Sequence, residues 1–292
     1  MAFPFFKSTH MFFYYLQNTC LKNKQLLILL LFFSCLSFEA FAQGNLLITP
    51  NRVVFEGRKK NESLNLINTG KEITTYTVSF VQRRMNEDGS FTGIDTPDEG
   101  QLFADPYLRI YPRQITLAPG EGQVVKLQFI RKPEMLDGEY RSHLYFRSEK
   151  DYTPLGTKKI DTTKILSVQL TPIFGISIPI IIRNGNVSAS AKLSDLRLEE
   201  QQEPVLSFVL NRTGNGSLYG NLEVEFVPEK GKPYQIGAVN GVAVYTTINK
   251  RNVSIKLNAT LEELKNGKLR LRYTSRKDAS KQEVYAEVEL AM

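Results

Sequence analysis

The chain has 292 residues, with 37 Lys and Arg against 30 Asp and Glu, a net charge of +7, and only two His and two Cys. A modest positive excess spread along the sequence reads as a solvated surface rather than a nucleic-acid-binding one. Of the His and Cys residues, His10, Cys20 and Cys35 lie in an amino-terminal segment that reads as a removed leader, and with His143 alone remaining His-dependent triads and zinc sites lack the ligands they need.

In chain order, Lys22 and Lys24 lead into the apolar run Leu26 to Leu36, and Ala40-Phe41-Ala42 places small residues where a signal peptidase requires them. This predicts a secretory signal over residues 1–42, cleaved before Gln43. The apolar run is shorter than the roughly 20 residues of a membrane-spanning helix. The basic region is long, which leaves either Met1 or Met11 as the start, and the Phe pair before Cys35 disfavours lipid attachment there. His10, Cys20 and Cys35 fall within the leader, so the exported protein is expected to have no disulfide and to depend on core burial.

After Gln43 nearly everything reads as short strands between turn signals. Leu46 to Phe55, Leu64 to Asn68, Thr75 to Arg83, Leu108 to Tyr111, Val124 to Ile130 and His143 to Ser148 are rich in β-branched and aromatic residues. Asn68 to Lys71, Asn86 to Gly89 and Ala118 to Glu121 supply the turns between them. The apolar run Lys164 to Arg183 closes this half. Its first part alternates Leu166, Val168 and Leu170 with Ser167, Gln169 and Thr171, as a strand with one apolar face does. A strand of that length can extend past its own sheet and offer an edge to another protein.

Beyond Asn184-Gly185, further strands are expected at Ala189 to Leu198, Val205 to Asn211, Leu222 to Val227, Val242 to Ile248, Arg251 to Leu257, Gly267 to Tyr273 and Glu283 to Glu289. About seven strands in about 100 residues is the size of an immunoglobulin-like sandwich. The sequence therefore predicts an all-β protein of two immunoglobulin-like sandwiches, over 43–184 and 185–292. Leu261 to Leu264 is the one helical candidate, a single turn at most.

Little of this supports catalysis. His143, in the strand-like RSHLYF, reads as packed, and Asp95, Asp98, Glu99 and Asp105 read as loop solvation. Gly214-Asn215-Gly216 lacks the helix and Lys-Ser or Lys-Thr of a phosphate loop, so it reads as a hairpin turn requiring positive φ. No cofactor, metal or enzymatic activity is expected. Arg52, flanked by Pro50-Asn51 and Val53-Val54-Phe55 in the first strand, is either on a solvated face or held in a cleft, where a guanidinium could grip a carboxylate.

Three blocks carry a resemblance: TPNRVVFEGRKKNESLNLINTGKEITTYTV (Thr49 to Val78), ADPYLRIYPRQITLAPGEGQVVKLQFIR (Ala104 to Arg131) and GEYRSHLYFRSE (Gly138 to Glu149). In order, they resemble the amino-terminal domain of the PapD-like periplasmic pilus chaperones; the likeness covers most of residues 46 to 183. It implies an L-shaped pair of immunoglobulin-like domains in the periplasm that holds a pilus or fimbrial subunit by donor-strand complementation and passes it to an outer-membrane usher. Under this resemblance Arg52 anchors the subunit's terminal carboxylate, Leu166, Val168, Leu170, Pro172 and Phe174 form the donor face, and Arg183 orients the two domains. The exposed strand would also permit self-association.

The sequence departs from the family at informative places. Pro179 stands where the second basic residue of the anchor is expected, and Arg141 is followed directly by Ser142 without the usual Glu. This leaves open whether Arg52 acts alone, with a different polar group, or toward a client that is not a pilin. The alternative class is an envelope structural or adaptor protein that uses the same two sandwiches without donating a strand.

Overall fold

The computed structural model describes residues 46–149, 175–199, 203–275 and 283–292. Residues 1–42, expected to be a secretory signal, and Leu166, Val168, Leu170, Pro172 and Phe174, expected to be a donor face, lie outside the described residues.

The first part is built from β1 (Leu46–Thr49), β2 (Val53–Phe55), β3 (Asn61–Asn68), β4 (Thr74–Met85), β5 (Phe91–Ile94), β6 (Leu108–Tyr111), β7 (Gln114–Leu117), β8 (Gly122–Phe129), β9 (Gly138–Glu149) and β10 (Gly175–Asn184). One sheet has the order β1-β3-β8-β6; the other has β2-β10-β9-β4-β5, with β7 beside β4. Alternation produces the core between them. Leu64 and Leu66 of β3, Val125, Leu127 and Phe129 of β8, Val78 of β4, Leu144 and Phe146 of β9, and Ile178, Ile180 and Ile182 of β10 all turn inward.

Leu46 to Phe55 does not form the single strand that its composition predicts. Pro50 has no amide hydrogen to continue the ladder, and the chain crosses between sheets. β1 pairs antiparallel with β3, whereas β2 pairs parallel with β10. Arg52 therefore lies in the crossover immediately before β2, not within a strand. The short strands β5 and β7 carry no alternation long enough to announce them.

The second part comprises β11 (Ala189–Glu199), β12 (Val205–Gly214), β13 (Leu218–Pro228), β14 (Tyr234–Val244), β15 (Lys250–Lys256), β16 (Gly267–Ser275) and β17 (Val284–Ala291). These form sheets β11-β12-β15 and β14-β13-β16-β17 around a separate core that includes Leu206, Phe208, Leu222, Val224, Leu269, Leu271 and Tyr273. The architecture is thus all-β, two sandwiches each with its own apolar interior. β14 begins earlier and ends earlier than the expected Val242 to Ile248, because Gly237 and Gly241 sit inside the strand; the register shifts between Gly220 and Leu222 of its partner. Leu261 to Leu264 is a single turn, held at its start by a reciprocal pair: Thr260 N donates to Glu263 Oε2 at 2.8 Å, and Glu263 N donates to Thr260 Oγ1 at 3.4 Å.

Gly214 (φ +97°) provides the β12–β13 turn. A Cβ there would stand 2.3 Å from the Ser188 carbonyl oxygen, so the position excludes a side chain on both conformation and space. Arg212 organises the same turn. Its guanidinium is buried and donates to the carbonyls of Ile248, Gly214, Gly216 and Thr246 and to Asn249 Oδ1, leaving its charge well solvated by protein.

Candidate functional site

β9 is buried on both faces from Gly138 to Leu144. Its even-numbered residues enter the first core, while Glu139, Arg141 and His143 point the other way and are each only 3% exposed. Phe91 of β5 and residues of the second sandwich cover them: Ala243 and Tyr245 pack with Met85 of β4 and Ile181 of β10 in a small third cluster. A strand that places Glu, Arg and His on a covered face must satisfy them there, since an unpaired buried charge is costly.

Glu139 Oε2 accepts from the backbone N and Oγ of Ser217 at 2.9 and 2.8 Å, while its Oε1 is buried without a partner among the described residues. Arg183 joins them, with Nε 3.4 Å from Glu139 Oε2, Nη1 3.3 Å from Glu56 Oε2 and Nη2 3.3 Å from the Ser217 carbonyl. This predicted site residue therefore touches both sandwiches. Ser142 takes part in local structure instead: its Oγ accepts from the amides of Ala104 and Asp105.

Arg52 is half-buried against the second sandwich. Its Nη1 donates to Tyr245 Oη at 3.0 Å and its Nη2 to Ser217 Oγ at 3.3 Å. Its Cζ lies 4.3 Å from the Tyr219 ring centre and 5.4 Å from that of Tyr245. Arg141 approaches Tyr245 more closely, with Cζ at 3.9 Å, and gives Nη2 to the Arg83 carbonyl at 2.9 Å while Nη1 has no partner. Two guanidiniums thus share one aromatic ring, which attracts both through its quadrupole without neutralising either.

Arg52, Gly89, Phe91, Pro179, Tyr219, Tyr245 and Arg251 are among the residues that line a cleft of about 230 Å³. The surroundings are strongly cationic. Burial, followed by the charges of Arg141, Arg83 and Arg52, drives the His143 pKa down to about 3, so this imidazole is neutral. Its ring meets Phe91 edge-on at 5.5 Å. Burial also lowers the Arg141 and Arg251 pKa values without threatening their charge. Among the described residues, none of Arg52, Arg141 and Arg251 has a carboxylate within ion-pair distance. An aromatic-walled cleft with unspent guanidinium donors is suited to one chemistry, the capture of an oxyanion such as a carboxylate. Among the described residues no group of three or more His, Cys, Asp or Glu could hold a metal ion.

The sequence picks out Arg52 and Arg183, and the structure brings both to the face between the sandwiches, joined through Ser217. It does not pick out Glu139, Arg141, Tyr245 or Arg251. For the first two a signal exists in the alternation of Glu, Arg and His through an otherwise core-like strand; Tyr245 and Arg251 have none, because Arg52 and Gly89, which they meet at the cleft, are more than a hundred residues away in sequence.

No family model and no curated protein matches the chain. Among solved structures it is similar to the YadV chaperone at 13% identity, covering 85% of this chain and 100% of that one with a TM-score of 0.44. A second similarity is to the CsuC–CsuE chaperone–tip adhesion subunit pre-assembly complex of the archaic chaperone-usher Csu pili of Acinetobacter baumannii, at 14% identity over 84% of this chain and 98% of that one, TM-score 0.42. A third is to the Salmonella enterica SafA pilin in complex with the SafB chaperone, at 12% identity over 87% and 99%, TM-score 0.40.

Proposed function

We propose that this chain is a non-enzymatic periplasmic chaperone that holds a subunit of a pilus, fimbria or other surface fibre by adding a strand to it, and delivers it to an outer-membrane usher. The observation that carries this reading is the register around Arg52. β9 pairs along the whole of β10, from Asn184 to Gly175, but β2 pairs with it only from Val53↔Ile180 to Phe55↔Ile182. On that side Gly175 to Pro179 carries no strand among the described residues, and Arg52 stands where the open edge begins. Proline cannot donate to a ladder and is tolerated at sheet edges; Pro179 occupies this one.

A client strand with its terminal carboxylate on Arg52 would lie in line with β2, parallel to β10, and follow the open edge toward Gly175. Its backbone would complete the ladder, and its carboxylate would meet the Arg52 guanidinium, whose present hydrogen bonds go to two hydroxyls and not to a carboxylate. Ile176 and Ile178 turn to the core; Leu166, Val168, Leu170, Pro172 and Phe174 share their parity, and in this reading they are the apolar pegs that enter the client's groove. Arg183, bonded to both sandwiches, would fix the angle at which the edge meets the cleft.

The test is capture of the client from periplasmic extract by the tagged protein, read by mass spectrometry. Wild type is expected to bring down a small exported β-rich subunit. Arg52→Ala should lose it, at a cost of about 2–4 kcal/mol of binding, and Arg52→Lys should restore it only in part. Equal recovery by wild type and Arg52→Ala would overturn the proposal.

A further inference from the structure

We infer that Arg251 of β15 is the second cation of the anchor, so that the client carboxylate is held between one guanidinium from each sandwich. This deepens the chaperone reading and rests on it. β10 offers Pro179 to the cleft, which can neither donate nor carry charge, and the cleft's other cationic wall is Arg251.

The Arg251 guanidinium is only partly satisfied at home. Its Nη1 donates to the Ala243 carbonyl at 2.6 Å, while its Nε is buried with no partner. Asp88 is the carboxylate whose charge acts on it, yet Asp88 Oδ1 already accepts from the Ser90 amide and hydroxyl at 2.8 and 2.6 Å. Arg212 on the neighbouring strand shows what a structural arginine looks like here, with acceptors on every side. Arg251 differs from it: one donor has no partner among the described residues, no carboxylate lies within ion-pair distance, and the side chain lines a cleft that also holds Arg52.

Its position is also enforced from the other sandwich. Gly89, with φ +85°, lies so close that a Cβ there would come within 2.3 Å of Arg251 Nη2. The β4–β5 hairpin that carries Gly89 is pinned to β15 by Asn252 N donating to the Glu87 carbonyl at 2.7 Å and by the Lys250–Glu87 ion pair at 3.4 Å. Arg141 is the competing candidate, but it is covered, shares Tyr245 with Arg52 and does not line the cleft. The cleft volume of about 230 Å³ fits a carboxylate with its terminal side chain and little more.

The probe is an acetylated hexapeptide of alternating valine and threonine, prepared as the free acid and as the C-terminal amide, titrated into the purified protein with binding followed by NMR. Wild type is expected to bind the acid at least tenfold more tightly than the amide. Arg251→Gln should reduce that preference about tenfold while leaving amide affinity within twofold, and Arg251→Lys should retain part of it. In wild type the Nε–Hε resonances of both Arg52 and Arg251 should move with the acid and stay fixed with the amide. That measurement decides the matter alone if Arg251→Gln does not fold. An acid preference that survives Arg251→Gln but not Arg52→Ala, or a still Arg251 resonance, overturns this inference and leaves the chaperone reading standing. Equal wild-type affinity for acid and amide overturns both.

Discussion

His143 provides a direct test of the cationic face. Its imidazole is 3% exposed, its pKa is lowered to about 3, and the causes are burial followed by Arg141 on its own strand, Arg83 on β4 and Arg52 on the crossover; Phe91 packs on its ring. Unfolded, it titrates at its ordinary value of 6.5. Above that pH both states are neutral and the residue makes no pH-dependent contribution. As the pH falls below 6.5 the unfolded chain takes up a proton that the folded protein refuses, so stability is lost at up to about 1.4 kcal/mol per pH unit until the folded pKa is reached. Between pH 7 and pH 5 this amounts to about 2 kcal/mol. Urea unfolding of wild type and His143→Gln at both pH values isolates the effect, because every other titrating group is common to the two proteins. The stability advantage of wild type over the variant should shrink by about 2 kcal/mol on going to pH 5. Parallel losses in the two proteins would show that His143 is not held neutral by its surroundings, and the description of the face as cationic and covered would fail with it.

Two further outcomes follow from the geometry. Gly214→Ala must accommodate both φ +97° and a Cβ 2.3 Å from the Ser188 carbonyl, so it should destabilise the second sandwich by about 2 kcal/mol or more; an unchanged thermal midpoint would refute the close approach. Replacing Val168 and Leu170 together by Glu should leave the melting and circular dichroism of the free protein intact while abolishing client recovery; a melting loss as large as that of a core substitution would mean that these residues are packed at home.

How much of this was legible in the sequence depended on the range of the interaction responsible. Strands with one covered face, such as β3 with Leu64 and Leu66 or β8 with Val125 and Leu127, announce themselves by alternation and fall close to their expected positions. The Leu46 to Phe55 run misled because its composition is uniformly β-favouring, whereas its outcome was decided by Pro50 and by two different partners, β3 and β10. In β14, Gly237 and Gly241 imitate a turn, and only pairing with β13 across a bulge shows them to be strand residues. Arg52 stood out because a charge beside Val53-Val54-Phe55 demands an explanation. Arg251 did not, because in Lys250-Arg251-Asn252 a charge needs none; its significance comes from Gly89, more than a hundred residues earlier.

The placement of these arginines also bears on why the two sandwiches are held together as they are. The face between them holds a small apolar cluster of Met85, Ile181, Ala243 and Tyr245, with Val54, Tyr219 and Ile248 packed against it, beside the polar and charged Glu139, Arg141, His143, Arg52 and Arg251. Glu139 supplies one negative charge against several positive ones, and Arg183 and Ser217 already occupy it. Like charges confined in one cleft repel, and water that would screen them is partly excluded. Aromatic rings and backbone carbonyls offset that cost without removing it, since neither carries a net negative charge. A bound carboxylate would remove it. Occupancy of the cleft and stability of the face then become linked quantities, each favouring the other in proportion to ligand concentration over Kd. Under the proposed function, a face that gains stability when filled suits a protein that holds a chain end and later releases it better than it suits a permanent structural joint.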